Sequence, residues 1–174
     1  TMARSTTPTC CLTLPLRLEK WQEDKLDKRF EIARQIYNTL LRAERKKLRQ
    51  LEQIREYREI QTGLSRLYEQ KADKSPEFKQ LANRRTALLK QAGFSEYAFK
   101  DDMKWYYKHF KQNIASGVAV HGIAPNVWAA FEKLLYGKSK FVHFKKRGSV
   151  NSVRGASVSG KSGGGEIIFR DTYI

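Results

Sequence analysis

Residues Gly137 to Gly165 read GKSKFVHFKKRGSVNSVRGASVSGKSGGG. The stretch carries Lys138, Lys140, Lys145, Lys146, Arg147, Arg154 and Lys161, and no acidic residue lies between Glu132 and Glu166. Short apolar and aromatic runs alternate with basic ones, and glycines punctuate them. That pattern predicts strands and turns lying on a polyanion: one short strand over Phe141, Val142 and Phe144, a second over Val150 to Arg154, and a third over Glu166 to Ile174. Ser157 to Gly165 reads as a turn or a loop that orders on binding. Nucleic acid is the partner that such a surface matches, because phosphates are dense and regular negative charge.

The totals agree. The chain has 174 residues, a net charge of +16 and a pI near 10.0. Such a charge points to polyanions or to an anionic membrane surface. No apolar run approaches the roughly 18 residues of a spanning helix, and Thr1 to Leu18 lacks the continuous apolar core of a secretory signal. A cytosolic location is therefore expected. The adjacent cysteines Cys10 and Cys11 are poorly placed to bond each other. They read as reduced thiols, with no disulfide framework and no cysteine-based zinc site.

Upstream, Thr9 to Leu18 alternates Leu12, Leu14, Leu16 and Leu18 with Cys11, Thr13, Pro15 and Arg17. This predicts a strand, placed at an edge or bulged by Pro15. From Trp21 to Gln61 the period changes to that of a helix, with Leu26, Phe30, Ala33, Tyr37, Leu41, Leu48, Leu51 and Ile54 on one stripe. The basic group Arg42 to Arg49 fits either a phosphate-contacting face or a solvated helix surface. Thr62-Gly63 reads as a break, with a short helix following. Ser75-Pro76-Glu77 is a helix start and Gly93 its stop. Ser95-Glu96 begins another helix, whose Tyr97, Phe99, Met103, Trp105, Tyr106, Tyr107 and Phe110 exceed what one stripe can bury. Trp105, Tyr106 and Tyr107, interleaved with Lys104 and Lys108, fit either base stacking beside phosphate-binding lysines or a two-sided core helix. Ser116 to Gly122 reads as a glycine-containing link. Pro125 then opens a helix through Leu135, closed by Gly137. The order predicts an α+β protein in which the first strand joins the last ones in a small barrel or sheet, while the helices form a separate lobe.

No catalytic constellation stands out. Asp101 and Asp102 are adjacent and would diverge on a helix, and His109, His121 and His143 lack partners at ligand spacing. Gly155 to Ser162, GASVSGKS, matches the GxxxxGK[ST] phosphate loop. The glycines that follow it disfavour the helix whose amides would complete an anion cradle. No catalytic or metal residue and no cofactor is therefore expected in this chain.

Two segments carry a family resemblance. RLEKWQEDKLDKRFEIARQIYNTLLRAERKKL, Arg17 to Leu48, and VWAAFEKLLYGKSKFVHFKKRGSVNSVRG, Val127 to Gly155, resemble parts of the TnpB-type proteins of insertion sequences and their relatives, the type V CRISPR effectors. The resemblance implies a small β-barrel-like wedge domain interrupted by a helical recognition lobe: residues 1–20 as the first wedge strand, 21–136 as the lobe and 137–174 as the rest of the wedge. It implies a guide RNA and double-stranded target DNA as partners, in a transposon or antiviral-defence setting. The RuvC-type nuclease domain and its magnesium would lie beyond Ile174. Lys138, Lys140, Lys145, Lys146, Arg147 and Arg154 become candidates for backbone contacts. The alternative is a generic basic helical scaffold or nucleic-acid-binding module with no guide RNA.

Overall fold

The computed structural model describes residues 17–110, 114, 116–150 and 152–153. These residues form a helical protein: α1 (Lys20–Leu51), α2 (Arg55–Glu69), α3 (Pro76–Gln91), α4 (Glu96–Tyr107) and α5 (Ala124–Leu135), with a π-helical stretch, Val118–Ile123, running directly into α5.

α1 is the spine, 32 residues long, or about 48 Å at 1.5 Å per residue. Its start is fixed by Gln22, whose side-chain oxygen accepts from the Glu19 amide at 2.9 Å. Ala33, Ile36, Tyr37, Leu40, Leu41, Glu44, Leu48 and Leu51 are buried, a stripe at three- and four-residue spacing. α4, α5 and the π-helical stretch pack against it. At the centre of the core, the Phe99 ring lies 5.3 Å from Trp128, 5.4 Å from Phe131 and 6.2 Å from Phe94. Tilted and edge-on contacts at these distances suit the ring quadrupoles.

α2 and α3 form an antiparallel hairpin. Tyr57, Ile60, Leu64 and Leu67 are its buried face on α2. Arg84 pairs with Glu56 at 2.7 Å near one end, and Arg66 with Glu77 at 3.6 Å near the other. The Arg85 guanidinium lies over the Tyr136 ring, 5.4 Å from its centroid, and ties the hairpin to the end of α5.

The helix starts expected at Ser75 and Ser95 are present: Ser75 Oγ accepts from the Phe78 amide at 3.1 Å and Ser95 Oγ from the Ala98 amide at 3.2 Å. Gly93 and Gly137, at φ +82° and +73°, follow α3 and α5 as anticipated. In the left-handed region glycine avoids the cost that a Cβ would bring.

Three expectations fail. The break falls at residues 52–54, between α1 and α2, and Gly63 lies inside α2. A Cβ on Gly63 would sit 2.9 Å from Leu81 Cδ1, so this glycine lets α2 approach α3 closely rather than ending a helix. The glycine-containing link at 116–122 is largely helical, and its small residues Gly117, Ala119 and Gly122 are buried. Most consequentially, the described residues contain no strand, so the α+β class and its barrel-like wedge are overturned. Phe141 to Phe144 carries no ladder, nor do Val150, Ser152 and Val153. Only Val142 of this run is buried; Phe141, His143 and Phe144 are exposed. What the run packs against is a helix. The anticipated strands over residues 9–16 and 166–174, and the loop at 155–162, lie outside the described residues.

Candidate nucleic-acid interface

Segment 138–150 leaves α5 and lies along α1. Glu31, Arg34, Asn38, Arg42, Arg45 and Arg49 recur at three- and four-residue intervals, so they share one side of α1. Asn38 makes the central connection. Its side-chain oxygen accepts from the Lys145 amide at 2.9 Å, and its nitrogen donates to the Lys145 carbonyl at 3.0 Å. A side-chain amide thus makes the reciprocal pair of bonds that a neighbouring strand would make. Arg34 Nη1 donates to the same carbonyl at 3.1 Å, while its Nε and Nη2 hold Glu31 at 2.8 and 2.6 Å. The hydrogen bond from Arg34 holds the Glu31 carboxyl down at about 2.

Two aromatic rings of this region are covered by cations. Arg42 and Arg45 lie over the Phe144 ring, 6.0 and 5.4 Å from its centroid, and Lys145 Nζ lies 5.1 Å from the Tyr37 centroid. Such contacts hold a cation close to the surface while leaving its outward side to water. Gly148, at φ +72°, turns the chain after Arg147, and the Ser149 hydroxyl donates to the Lys146 carbonyl at 2.6 Å.

Some cations elsewhere are matched locally: Lys20 with Glu23 and Asp24, Arg55 with Glu59, Lys100 with Glu96, and Lys104 with Asp101. Among the described residues none of Arg42, Arg45, Arg49, Lys138, Lys140, Lys145, Lys146 or Arg147 forms an ion pair with a carboxylate, although the charge of Arg147 acts on Glu31. Two remote parts of the chain thus bring basic residues side by side along α1.

Of the residues proposed from sequence, Lys138, Lys140, Lys146 and Arg147 are exposed, and Lys145 is half-buried over Tyr37. Arg154 and Lys161 lie outside the described residues. Trp105, Tyr106, Tyr107, Lys104 and Lys108 form a second group at the end of α4. Trp105 is 58% exposed and meets Tyr106 edge-on at 4.8 Å and His109 at 5.8 Å. Tyr107 turns inward instead: its hydroxyl donates to the Ile114 carbonyl at 2.8 Å and secures the chain beyond α4. Sequence reasoning missed Arg34 and Asn38, whose spacing from Arg42 was the available signal.

A second polar site lies elsewhere on α1. Glu44 is fully buried, and burial pushes its carboxyl up to about 7 against the opposing pull of Lys47. Lys47 Nζ bonds Glu44 Oε1 at 3.2 Å and also bonds Asp102 of α4. Burial opposes the charge on Lys47, but its bonds to Asp102 and Glu44 raise its pKa overall. Glu44 Oε2 has no partner among the described residues.

Among the described residues no three His, Cys, Asp or Glu side chains converge to hold a metal, and no helix is long and apolar enough to cross a membrane. Comparison with protein-family models, curated proteins and solved structures finds no match.

Proposed function

We propose that this chain is a helical nucleic-acid-binding module. Its binding face is the side of α1 bearing Arg42, Arg45 and Arg49, together with Lys138, Lys140, Lys145, Lys146 and Arg147 of the clamped segment. The observation that carries this reading is the Asn38–Lys145 bond pair, which fixes the two basic stretches side by side, with basic residues in excess over the nearby Glu31. Phosphate supplies the missing counter-charge and releases condensed counterions on binding. The resemblance of Arg17–Leu48 and Val127–Gly155 to TnpB-type proteins narrows the partner to the structured guide RNA, and the target DNA, of an RNA-guided effector.

The test is fluorescence anisotropy across a salt series, with a structured RNA and with unstructured RNA of equal length. The log–log salt slope should be steep. Replacing Lys140, Lys146 and Arg147 with Ala should make it shallower by about two to three. An unchanged slope refutes the assignment of this face. Equal affinity for both RNAs refutes the guide-RNA reading and leaves a generic basic module.

A further inference from the structure

Beside the basic face, an open groove of about 520 Å³ runs between α5 and segment 139–145. That lies within the range, roughly 300–1,000 Å³, of sites that hold small ligands. Tyr37 of α1 forms its floor, α5 contributes Asn126 and Lys133, and the segment contributes Phe141, His143 and Lys145. No carboxylate lines it. Phe141 is 68% exposed, and its ring centroid lies 6.2 Å from that of His143 at a tilt of 55°. An aromatic ring held this far in water gains nothing from the core, whereas its free face can accept a planar base.

We infer that this groove holds an unpaired nucleotide of a single-stranded nucleic acid, with Phe141 stacking on the base. Lys133 and Lys145 flank the groove where the adjoining phosphates would run, and Asn126 offers both a donor and an acceptor to a base edge. The inference rests on the reading of the neighbouring face as a nucleic-acid interface and adds to it a preference for unpaired bases. A paired base cannot present its face to Phe141, because its neighbours in the stack cover it. An acidic peptide would satisfy the two lysines but leave the phenyl ring unused.

The experiment compares a short labelled poly-uridine RNA, the equivalent DNA strand and a duplex of equal phosphate number, each bound to the whole chain and to Phe141→Ala, Asn126→Ala and Lys146→Ala. Phe141 and Asn126 are exposed, so these variants keep the fold, which circular dichroism checks. Phe141→Ala is expected to weaken strand binding by about tenfold while leaving duplex binding nearly unchanged. Lys146→Ala should weaken both. If Phe141→Ala lowers strand and duplex binding alike, or lowers neither, the groove assignment is overturned while the basic face stands. If poly-glutamate displaces the strand as well as poly-uridine does, the preference for bases is overturned. If neither strand nor duplex binds, the interface reading falls and the groove with it.

Discussion

Raising the pH from mildly acid to neutral should loosen this fold through one side chain, Glu44. Its carboxyl has an ordinary value of 4.5 and is pushed up to about 7 by burial in the folded chain. Between those values the folded protein keeps a proton that the unfolded chain gives up, so stability falls as pH rises. The stabilisation is whole below about pH 4.5 and is lost as the pH passes through about 7. At 1.36 kcal/mol per pH unit, the loss over this window is about 3 kcal/mol. Glu31, held down at about 2, changes protonation between folded and unfolded chains only at more acid pH and does not obscure the effect. Glu44→Gln keeps the shape and an oxygen for Lys47 but cannot ionise. Urea denaturation of both proteins across the window should show the difference between them growing by about 3 kcal/mol in favour of the variant towards neutral pH. Parallel curves, or a wild-type protein that gains stability relative to the variant as pH rises, would refute the reasoning.

Other outcomes follow from single contacts. Asn38→Ala removes both side-chain bonds to the Lys145 backbone; it should cost about 1–3 kcal/mol of stability and abolish hydrogen-exchange protection of the Lys145 amide, read by NMR. Phe99→Ala, at a fully buried position touching three rings, should lower stability by about 3–5 kcal/mol in denaturant titration. Ser75→Ala should cost about 1 kcal/mol through loss of the α3 cap, with Ser75→Asp recovering most of it in thermal melts.

Much of the fold was legible where a residue acts on its own backbone. Ser75, Pro76 and Ser95 start helices because their side chains cap or preset the first turn, and that chemistry needs no tertiary contact, whereas Pro125, expected to open a helix, lies where the π-helical stretch runs unbroken into α5. Gly63 misled because glycine has two uses, freeing the backbone and letting helices approach, and only the position of Leu81 distinguishes them. The break at 52–54 carries no turn residue; it occurs because the stripe that packs on α4 and α5 hands over to one that packs on α3. Segment 141–144 shows how far alternation reaches. The apolar run Phe141, Val142 and Phe144 suggests a strand, but only Val142 is buried and the backbone bonds to the Asn38 side chain instead of to a neighbouring strand. Glu44 reads from sequence as part of the charged face of α1, yet it stands four residues from Leu40 and from Leu48 on the buried stripe. A carboxylate at such a position is buried with its neighbours, whatever its preference for water. At the candidate interface, the lysines of 138–146 and Arg147 were visible as a run. Their alignment with Arg42 and Arg45 was not, since it depends on a contact spanning 107 residues.

The Asn38 bond pair also constrains how the chain can vary in length. It fixes one residue of the segment against α1, so that Phe144 meets Arg42 and Arg45 and Lys145 meets Tyr37. A residue inserted or deleted between Val142 and Lys145 would shift the segment against the Asn38 anchor, drawing Phe144 away from Arg42 and Arg45 or Val142 out of the core. The same change between Gly137 and Lys140 would be absorbed in the turn, leaving the segment beyond it in register. Asn38 therefore acts as an index mark for the proposed binding face, and variants of different loop length should keep the Arg42–Phe144 contact only where the added or missing residues fall before Phe141.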